Sequence, residues 1–344
     1  MQDRDKSINL TKASCLNDLL DDCPINEVIV NNLVKAFAKI NQHESAVCSI
    51  SGGSDSDVML DIVWRCDKDD KVTYVWFDTG LEYQATKDHL KYLEEKYGIK
   101  ISVRRAIKPI PTTCKQYGQP FLSKHVSEMI RRLQKHNFQW EDKSFEELYS
   151  EYPKCKSALE WWCNTKPSKA HNISQNKWLK EFLVMYPPKF QISNVCCKYA
   201  KKDVSHELLS SGLYDLNIVG VRKAEGGVRA TAYKSCFDNN GDGYDNYRPL
   251  FWYKDADKED YDKHYGIVHS KCYTEYGLPR TGCAGCPFGR DFEFELKVMQ
   301  EHEPKLFKAV NNIFGDSYAY TRRYREFYEM KNDEEKFYQN NPIE

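Results

Sequence analysis

An apolar run, Ala46-Val47-Cys48-Ser49-Ile50, leads directly into Ser51-Gly52-Gly53-Ser54-Asp55-Ser56, and a stretch with helical patterning follows from Asp57 to Cys66. A buried strand, a glycine-rich turn and a helix N-terminus in that order restrict the fold sharply, because the turn must bring backbone N–H groups to one point. Two glycines let an anion approach the backbone without Cβ interference. The free N–H groups of the first helical turn point at that anion, and the hydroxyls of Ser51, Ser54 and Ser56 add donors. The expectation is a phosphate-binding loop. The alternative, a plain serine-rich tight turn, does not require the strand and helix that flank this one.

The pattern around the loop extends in both directions. Asn26 to Gln42 carries apolar residues at Ile29, Val30, Leu33, Val34, Phe37 and Ile40, close to a helical period. After the loop, the chain reads as helix 57–66, strand 72–77, helix 83–97 and strand 100–105. This alternation predicts an α/β fold with a doubly wound parallel sheet and ligands at the carboxyl ends of its strands. Ser51 and Asp78 both fall at such ends. From about 110 to 195 helical, aromatic segments take over, with Trp140, Trp161, Trp162 and Trp178, and the stretch reads as a helical insertion, either a gating lid or an added subdomain. The sheet resumes near Leu216 to Val221. Asn239-Asn240-Gly241-Asp242-Gly243 reads as a turn whose spacing does not complete a calcium loop. The expected organisation is an N-terminal helical segment (1–45), an α/β domain (46–290) containing the insertion, and a helical C-terminal extension (291–344).

A hydrophobic fraction of 41% across 344 residues is enough for a proper core, so the chain should be globular. No apolar stretch reaches the length of a membrane span, so no membrane partner is expected. The first residues, Met1-Gln2-Asp3-Arg4-Asp5-Lys6, lack the layout of a signal peptide, and a cytoplasmic address is the expectation. The net charge of −1 hides an asymmetry: residues 108–202 hold 17 Lys or Arg against eight Asp or Glu. Such a balance permits a polyanion such as tRNA or DNA as partner, although no nucleic-acid module is recognisable and an ordinary solvated helical face is the preferred reading, since the basic residues are dispersed rather than clustered. A homo-oligomer is compatible with the sequence.

Thirteen cysteines in a reducing compartment read as buried thiols or metal ligands rather than as a disulfide framework. Four of them form a pattern: the adjacent pair Cys196 and Cys197, then Cys283 and Cys286 in the Gly-rich turn Gly282-Cys283-Ala284-Gly285-Cys286-Pro287. A Cys-x-x-Cys turn presents two thiolates to one metal centre. Plain thiols remain the other reading. Cys272 is a spare ligand or a catalytic thiol, and Cys48 and Cys66 sit in strand and helix patterns as core residues.

The loop wording resembles the PP-loop of the adenine-nucleotide α-hydrolase superfamily. Asp78-Thr79-Gly80-Leu81-Glu82-Tyr83, with Thr86, resembles a segment of the phosphoadenylyl-sulfate (PAPS) reductase family. So do Cys196-Cys197, the run Gly220-Val221-Arg222-Lys223-Ala224-Glu225 with Arg229, and Arg280 to Pro287. These blocks fall in family order between residues 46 and 290. The resemblance implies a Rossmann-like sheet binding ATP or a related adenine nucleotide through Ser51, Gly52, Gly53, Ser54, Asp55 and Ser56. It implies Asp78, Thr79 and Gly80 near the nucleotide, and Arg222, Glu225 and Arg229 at its sulfate or phosphate end, where a planar guanidinium engages two oxygens. Asp55 and Ser56 would serve catalysis, Asp55 by helping to hold Mg²⁺. The order of Cys196, Cys197, Cys283 and Cys286 resembles the [4Fe–4S] signature of adenylyl-sulfate reductases and of the DNA-phosphorothioation PP-loop enzymes, with zinc or no metal as alternatives.

Two departures shape the functional expectation. Sulfonucleotide reductases carry a catalytic cysteine in a C-terminal Glu-Cys-Gly-x-His segment, whereas the last cysteine here is Cys286. The loop wording is also closer to the ATP-cleaving branch. The leading expectation is therefore an enzyme that cleaves the α–β bond of ATP and couples this to sulfur transfer or acceptor activation, with a sulfur-donor protein such as a cysteine desulfurase as partner. The alternatives are reduction of PAPS or adenylyl sulfate to sulfite, with Cys272 as the thiol, and a non-catalytic nucleotide-sensing subunit.

Overall fold

The computed structural model describes residues 10–226, 231–239 and 241–340. The chain divides into two compact units, one made of residues 1–107 and 200–283, the other of residues 108–199 and 284–344.

The first unit is built on a six-stranded sheet of β1 (Ala46–Ile50), β2 (Val72–Asp78), β3 (Ile101–Arg105), β4 (Leu216–Val219), β5 (Phe237–Asn239) and β6 (Asp245–Tyr247), in the order β3-β2-β1-β4-β6-β5. β1 pairs in parallel with both β2 and β4, β2 with β3, and β4 with β6. Only β5 runs antiparallel, against β6. The α/β doubly wound expectation is correct, with one antiparallel edge strand added. From β1 the chain moves outward to β2 and β3, then returns to place β4 on the other side of β1. The order therefore reverses between β1 and β4, and a crevice opens at the carboxyl ends of strands at such a reversal.

Helices α1 (Leu16–Asp21), α2 (Glu27–Gln42), α3 (Ser54–Cys66) and α4 (Gln84–Tyr97) precede or link these strands. The Asn26 side chain caps α2 by accepting from the N–H groups of Val28 and Ile29, and Ile29, Leu33, Ala36 and Ile40 line its buried face. Every residue of α3 from Ser56 to Cys66 is buried, which makes α3 an internal helix rather than a surface one. Its deepest carboxylate, Asp61, is fully compensated. Arg65 Nε donates to it at 2.6 Å, Tyr97 at 2.9 Å and Tyr261 at 2.7 Å. A buried charge survives only when its lone pairs are occupied in this way.

The second unit is helical. It begins with α5 (Ile110–Tyr117) and ends with the 37-residue helix Pro304–Asn340. Aromatic residues dominate its core: Trp161 and Trp162 are fully buried, and Phe121 and Phe182 pack against Tyr320 of the long helix with ring centroids 4.9 and 5.0 Å apart. Among the described residues, no helix is long and apolar enough to cross a membrane.

Candidate nucleotide site and cysteine set

The loop Ser51–Gly53 leaves the end of β1 and enters α3 at Ser54, with Gly53 as the residue before the helix. Gly52 has φ +68°, and a Cβ there would lie 2.8 Å from the Thr86 methyl group. Glycine is therefore required both by the backbone conformation and by the approach of α4. The Ser56 hydroxyl accepts from the Ser51 N–H at 2.9 Å, and the Ser51 hydroxyl accepts from the Gly53 N–H at 3.3 Å. The serines thus hold the loop open in its curled form.

This loop forms one wall of a cavity of about 820 Å³ in the first unit. Ser51, Gly53, Ser54, Asp55 and Ser56 line it from β1 and α3, and Val219, Gly220, Arg222 and Glu225 line it from the end of β4 and beyond. It lies at the reversal of strand order. A smaller recess of about 160 Å³ shares Ser49, Ser51, Phe77, Lys201 and Thr281 with it and adds Trp76, Glu82 and Thr86. The larger volume suits a nucleotide-sized ligand.

Arg222 reaches into the cavity from the β4 side. Its Nε donates to Asp55 at 2.8 Å and its Nη1 to Asp255 at 2.7 Å. Burial would lower its basicity, but the hydrogen bonds to Asp255 and Asp55 outweigh this and hold it charged. The Glu225 carboxylate instead accepts from the backbone N–H of Arg222 at 3.4 Å. Arg222 is therefore paired across the fold with the loop residue Asp55, not with Glu225 three residues on.

Asp78 ends β2 and accepts from the Gly80 N–H at 2.9 Å, closing the turn that carries Asp78-Thr79-Gly80. Thr79 is buried and donates to Glu82 at 2.6 Å. Burial pushes the Glu82 carboxyl up, against the opposing effects of Lys201 and Thr79. Neither these three residues nor Gly52 line the larger cavity. Arg229 lies outside the described residues.

Further lining residues come from segments distant in sequence from the loop. Lys201 and Lys202 bring positive charge from the segment that follows the cysteine pair, with His206 beside them, and Arg280 and Thr281 come from the segment before Cys283. Thr281 is fixed by Tyr273, whose hydroxyl lies 2.9 Å from the Thr281 hydroxyl and accepts from its N–H at 3.1 Å. Cys272 is fully buried, with its sulfur 3.6 Å from the Thr86 hydroxyl.

Beneath the loop, Asp57 is buried between two histidines, with His269 Nδ1 at 2.8 Å and His89 Nε2 at 3.0 Å. His269 Nε2 lies 3.1 Å from Asp262, which also accepts from Lys258 at 2.8 Å. Burial lowers the His269 pKa, but its hydrogen bonds to Asp262 and Asp57 prevail and push it up to about 9 from its ordinary 6.5. A raised histidine pKa gives stability that is complete below the unfolded value and is lost as pH rises through the folded one. His269→Gln should therefore destabilise the protein by roughly 2–3 kcal/mol near pH 6. The gap from wild type should close between about pH 6.5 and 9, which denaturant melts across that range would follow. A gap independent of pH would mean that His269 is neutral in the folded protein.

The cysteines fall into both units. Cys114 on α5, Cys196, Cys197 and Cys286 belong to the second unit, and Cys283 is the last residue of the first. The Cys196 thiol is hydrogen-bonded to Cys114, which pushes its pKa up, and to Cys197, which opposes this, and it also senses the charge of Cys286. The backbone at Gly285 is pinned, because Tyr318 donates to its carbonyl and Glu295 accepts from its N–H at 3.3 Å. Four thiols are thus associated within one unit, and this soft donor set suits iron–sulfur or zinc chemistry. Among the described residues, no three Cys, His, Asp or Glu side chains close on a single ion position. Cys48 and Cys66 are fully buried core residues, as the sequence pattern requires.

A parallel α/β sheet with a glycine loop at its strand-order reversal defines a class of nucleotide-phosphate-binding folds. Residues 45–144 match the family model of the phosphoadenosine phosphosulfate reductase domain. Among solved structures, phosphoadenylyl-sulfate reductase from Candida auris in its phosphate complex is similar at 10% identity and a TM-score of 0.39, over 77% of this chain and 94% of that one. No curated protein matches the chain.

Proposed function

We propose that the chain binds ATP with Mg²⁺ in the cavity at the loop and cleaves its α–β bond, releasing AMP and pyrophosphate, coupled to sulfur transfer or to activation of an acceptor. The observation that carries this reading is the position of the Ser51–Ser56 loop, which lines the cavity at the carboxyl end of β1 where the strand order reverses. Backbone N–H groups and serine hydroxyls there suit the β- and γ-phosphates, and Lys201, Lys202 and Arg222 supply the positive charge such a group needs. Stabilised in this way, pyrophosphate is the better leaving group when the α-phosphate is attacked.

Arg222 forms an ion pair with Asp55. An arriving polyphosphate would compete for the same guanidinium and leave Asp55 to help hold Mg²⁺, which would supply charge to offset that developing on the leaving oxygens. Cys196, Cys197, Cys283 and Cys286 are the residues that would hold a [4Fe–4S] cluster, which would serve to hold or relay sulfur. The thiol association of Cys196 with Cys197 and Cys286, and the pinned turn at Gly285, support that set. A sulfur donor such as a cysteine desulfurase is the partner class this chemistry calls for.

Reduction of a sulfonucleotide is the rival reading. It needs a thiol at the nucleotide, and the burial of Cys272 counts against that residue as the nucleophile. The test is product analysis with purified protein. ATP should yield AMP, and Asp55→Ala should suppress turnover by at least about tenfold. Thiol-dependent sulfite release from PAPS, abolished by Cys272→Ser, would overturn the proposal.

A further inference from the structure

A pocket in the second unit is lined by basic side chains and by no carboxylate. The helix Lys124–Gln134 ends with Arg131 and Arg132, the chain continues through Lys135 and His136, and these residues share a cavity of about 250 Å³ with Lys154 and Ser157. No carboxylate lines it. The negative end of the helix dipole favours Arg131 and Arg132 where they stand, and Arg132 is paired with Glu128. Neither fact accounts for the rest.

The neighbouring ion pairs join Lys143 to Glu141 and Glu151, and Lys166 to Glu160. Among the described residues they leave Arg131, Lys135 and Lys154 without a carboxylate partner. The Nε of Arg131 is buried and makes no hydrogen bond. A buried guanidinium N–H without an acceptor is costly, and a ligand that brings the acceptor removes that cost. The Ser157 hydroxyl accepts from Lys166 at 2.9 Å, so its own proton is available to an anion in the pocket.

Arginine forks, lysine point charges and a hydroxyl around a small concave space are the complement of a phosphate group. We propose that this cavity is a phosphate-ester site, made by residues other than those of the nucleotide loop. In residues 108–199, which belong to the same unit, 15 Lys or Arg stand against eight Asp or Glu, and this balance favours an ester carried on a polynucleotide strand over an isolated one. This inference does not depend on the reaction proposed for the loop.

The test uses the full chain and a short fluorescent single-stranded DNA, with anisotropy read at low and high salt and with inorganic phosphate as competitor. Lys135 and Lys154 are exposed, so Lys135→Glu and Lys154→Glu should fold normally. Each should weaken DNA binding by about tenfold and flatten its salt dependence, while Gly53→Val should leave it unchanged. Should DNA fail to bind while calorimetry shows phosphate binding that both charge reversals remove, the cavity is still a phosphate-ester site and its source is a free ester. Unchanged affinity for both probes in the two reversals, no binding of either probe to the wild type, or binding lost only in Gly53→Val would each overturn the proposal.

Discussion

Gly53→Val should weaken ATP binding by about 100-fold or more, equivalent to roughly 2.7 kcal/mol, while the protein still folds. A Cβ at Gly53 would lie 3.1 Å from the Tyr273 hydroxyl, 3.2 Å from the Ser51 hydroxyl and 3.3 Å from the Thr281 hydroxyl. These are side-chain ends on the cavity wall that can shift by tenths of an ångström. Gly53 has φ −91°, so the backbone conformation itself tolerates a side chain. What the valine disturbs is the space that a phosphate must enter. Titration calorimetry would give the affinity, and a thermal melt shifted by only a few degrees would show that the fold persists. Unchanged ATP affinity in this variant would remove the loop from the site. Gly52 is a poorer probe, because its positive φ and its 2.8 Å contact with Thr86 couple binding to stability.

The second large effect concerns the cysteines. Anaerobically prepared protein should be brown and contain roughly four iron and four sulfide per chain, and Cys197→Ser or Cys283→Ser should abolish the visible absorption. Stoichiometric zinc without sulfide would replace the cluster by a structural metal site. The structure adds a residue to watch, since the Cys114 thiol is hydrogen-bonded to Cys196. If Cys114→Ser bleaches the protein as fully as Cys197→Ser, the ligand set differs from the one the Cys196-Cys197 and Cys283-x-x-Cys286 pattern suggests.

The sequence revealed the left half of the sheet and the loop because each element there has a strong local pattern. Ala46–Ile50 and Val72–Asp78 are apolar runs of strand length, and both follow or precede helices of the right period. β5 and β6 were missed for a physical reason. Phe237-Asp238-Asn239 and Asp245-Asn246-Tyr247 are three residues each, with two of every three drawn from Asp and Asn, which disfavour strands. They become strands only because β4 offers its edge to Asp245–Tyr247. The turn between them was legible from its glycines.

At the site, the residues next to the loop in sequence were legible and those distant from it were not. Arg222 lines the cavity together with the loop, but its pairing with Asp55, 167 positions away, has no local signature. The same holds for His269 beneath the loop, 212 positions from Asp57, and for Lys201, Lys202 and Tyr273 on the cavity wall. Long-range partners of this kind are fixed by strand order, which a single sequence specifies only through the fold. The aromatic insertion shows the same limit. Its tryptophans predicted a packed helical segment, while its packing against Tyr320 and Phe327 of the last helix could not be read from either segment alone.

Phosphorus NMR of the anaerobically purified protein with ATP and Mg²⁺ reads out which phosphate bond the protein breaks. Cleavage at the α–β bond should give the resonances of AMP and pyrophosphate in equal amounts, slowly for the chain alone and faster with its acceptor, and should fail in Gly53→Val. Appearance of ADP and inorganic phosphate instead, with the same dependence on Gly53, would show that the loop serves attack at the γ-phosphate and would contradict the account.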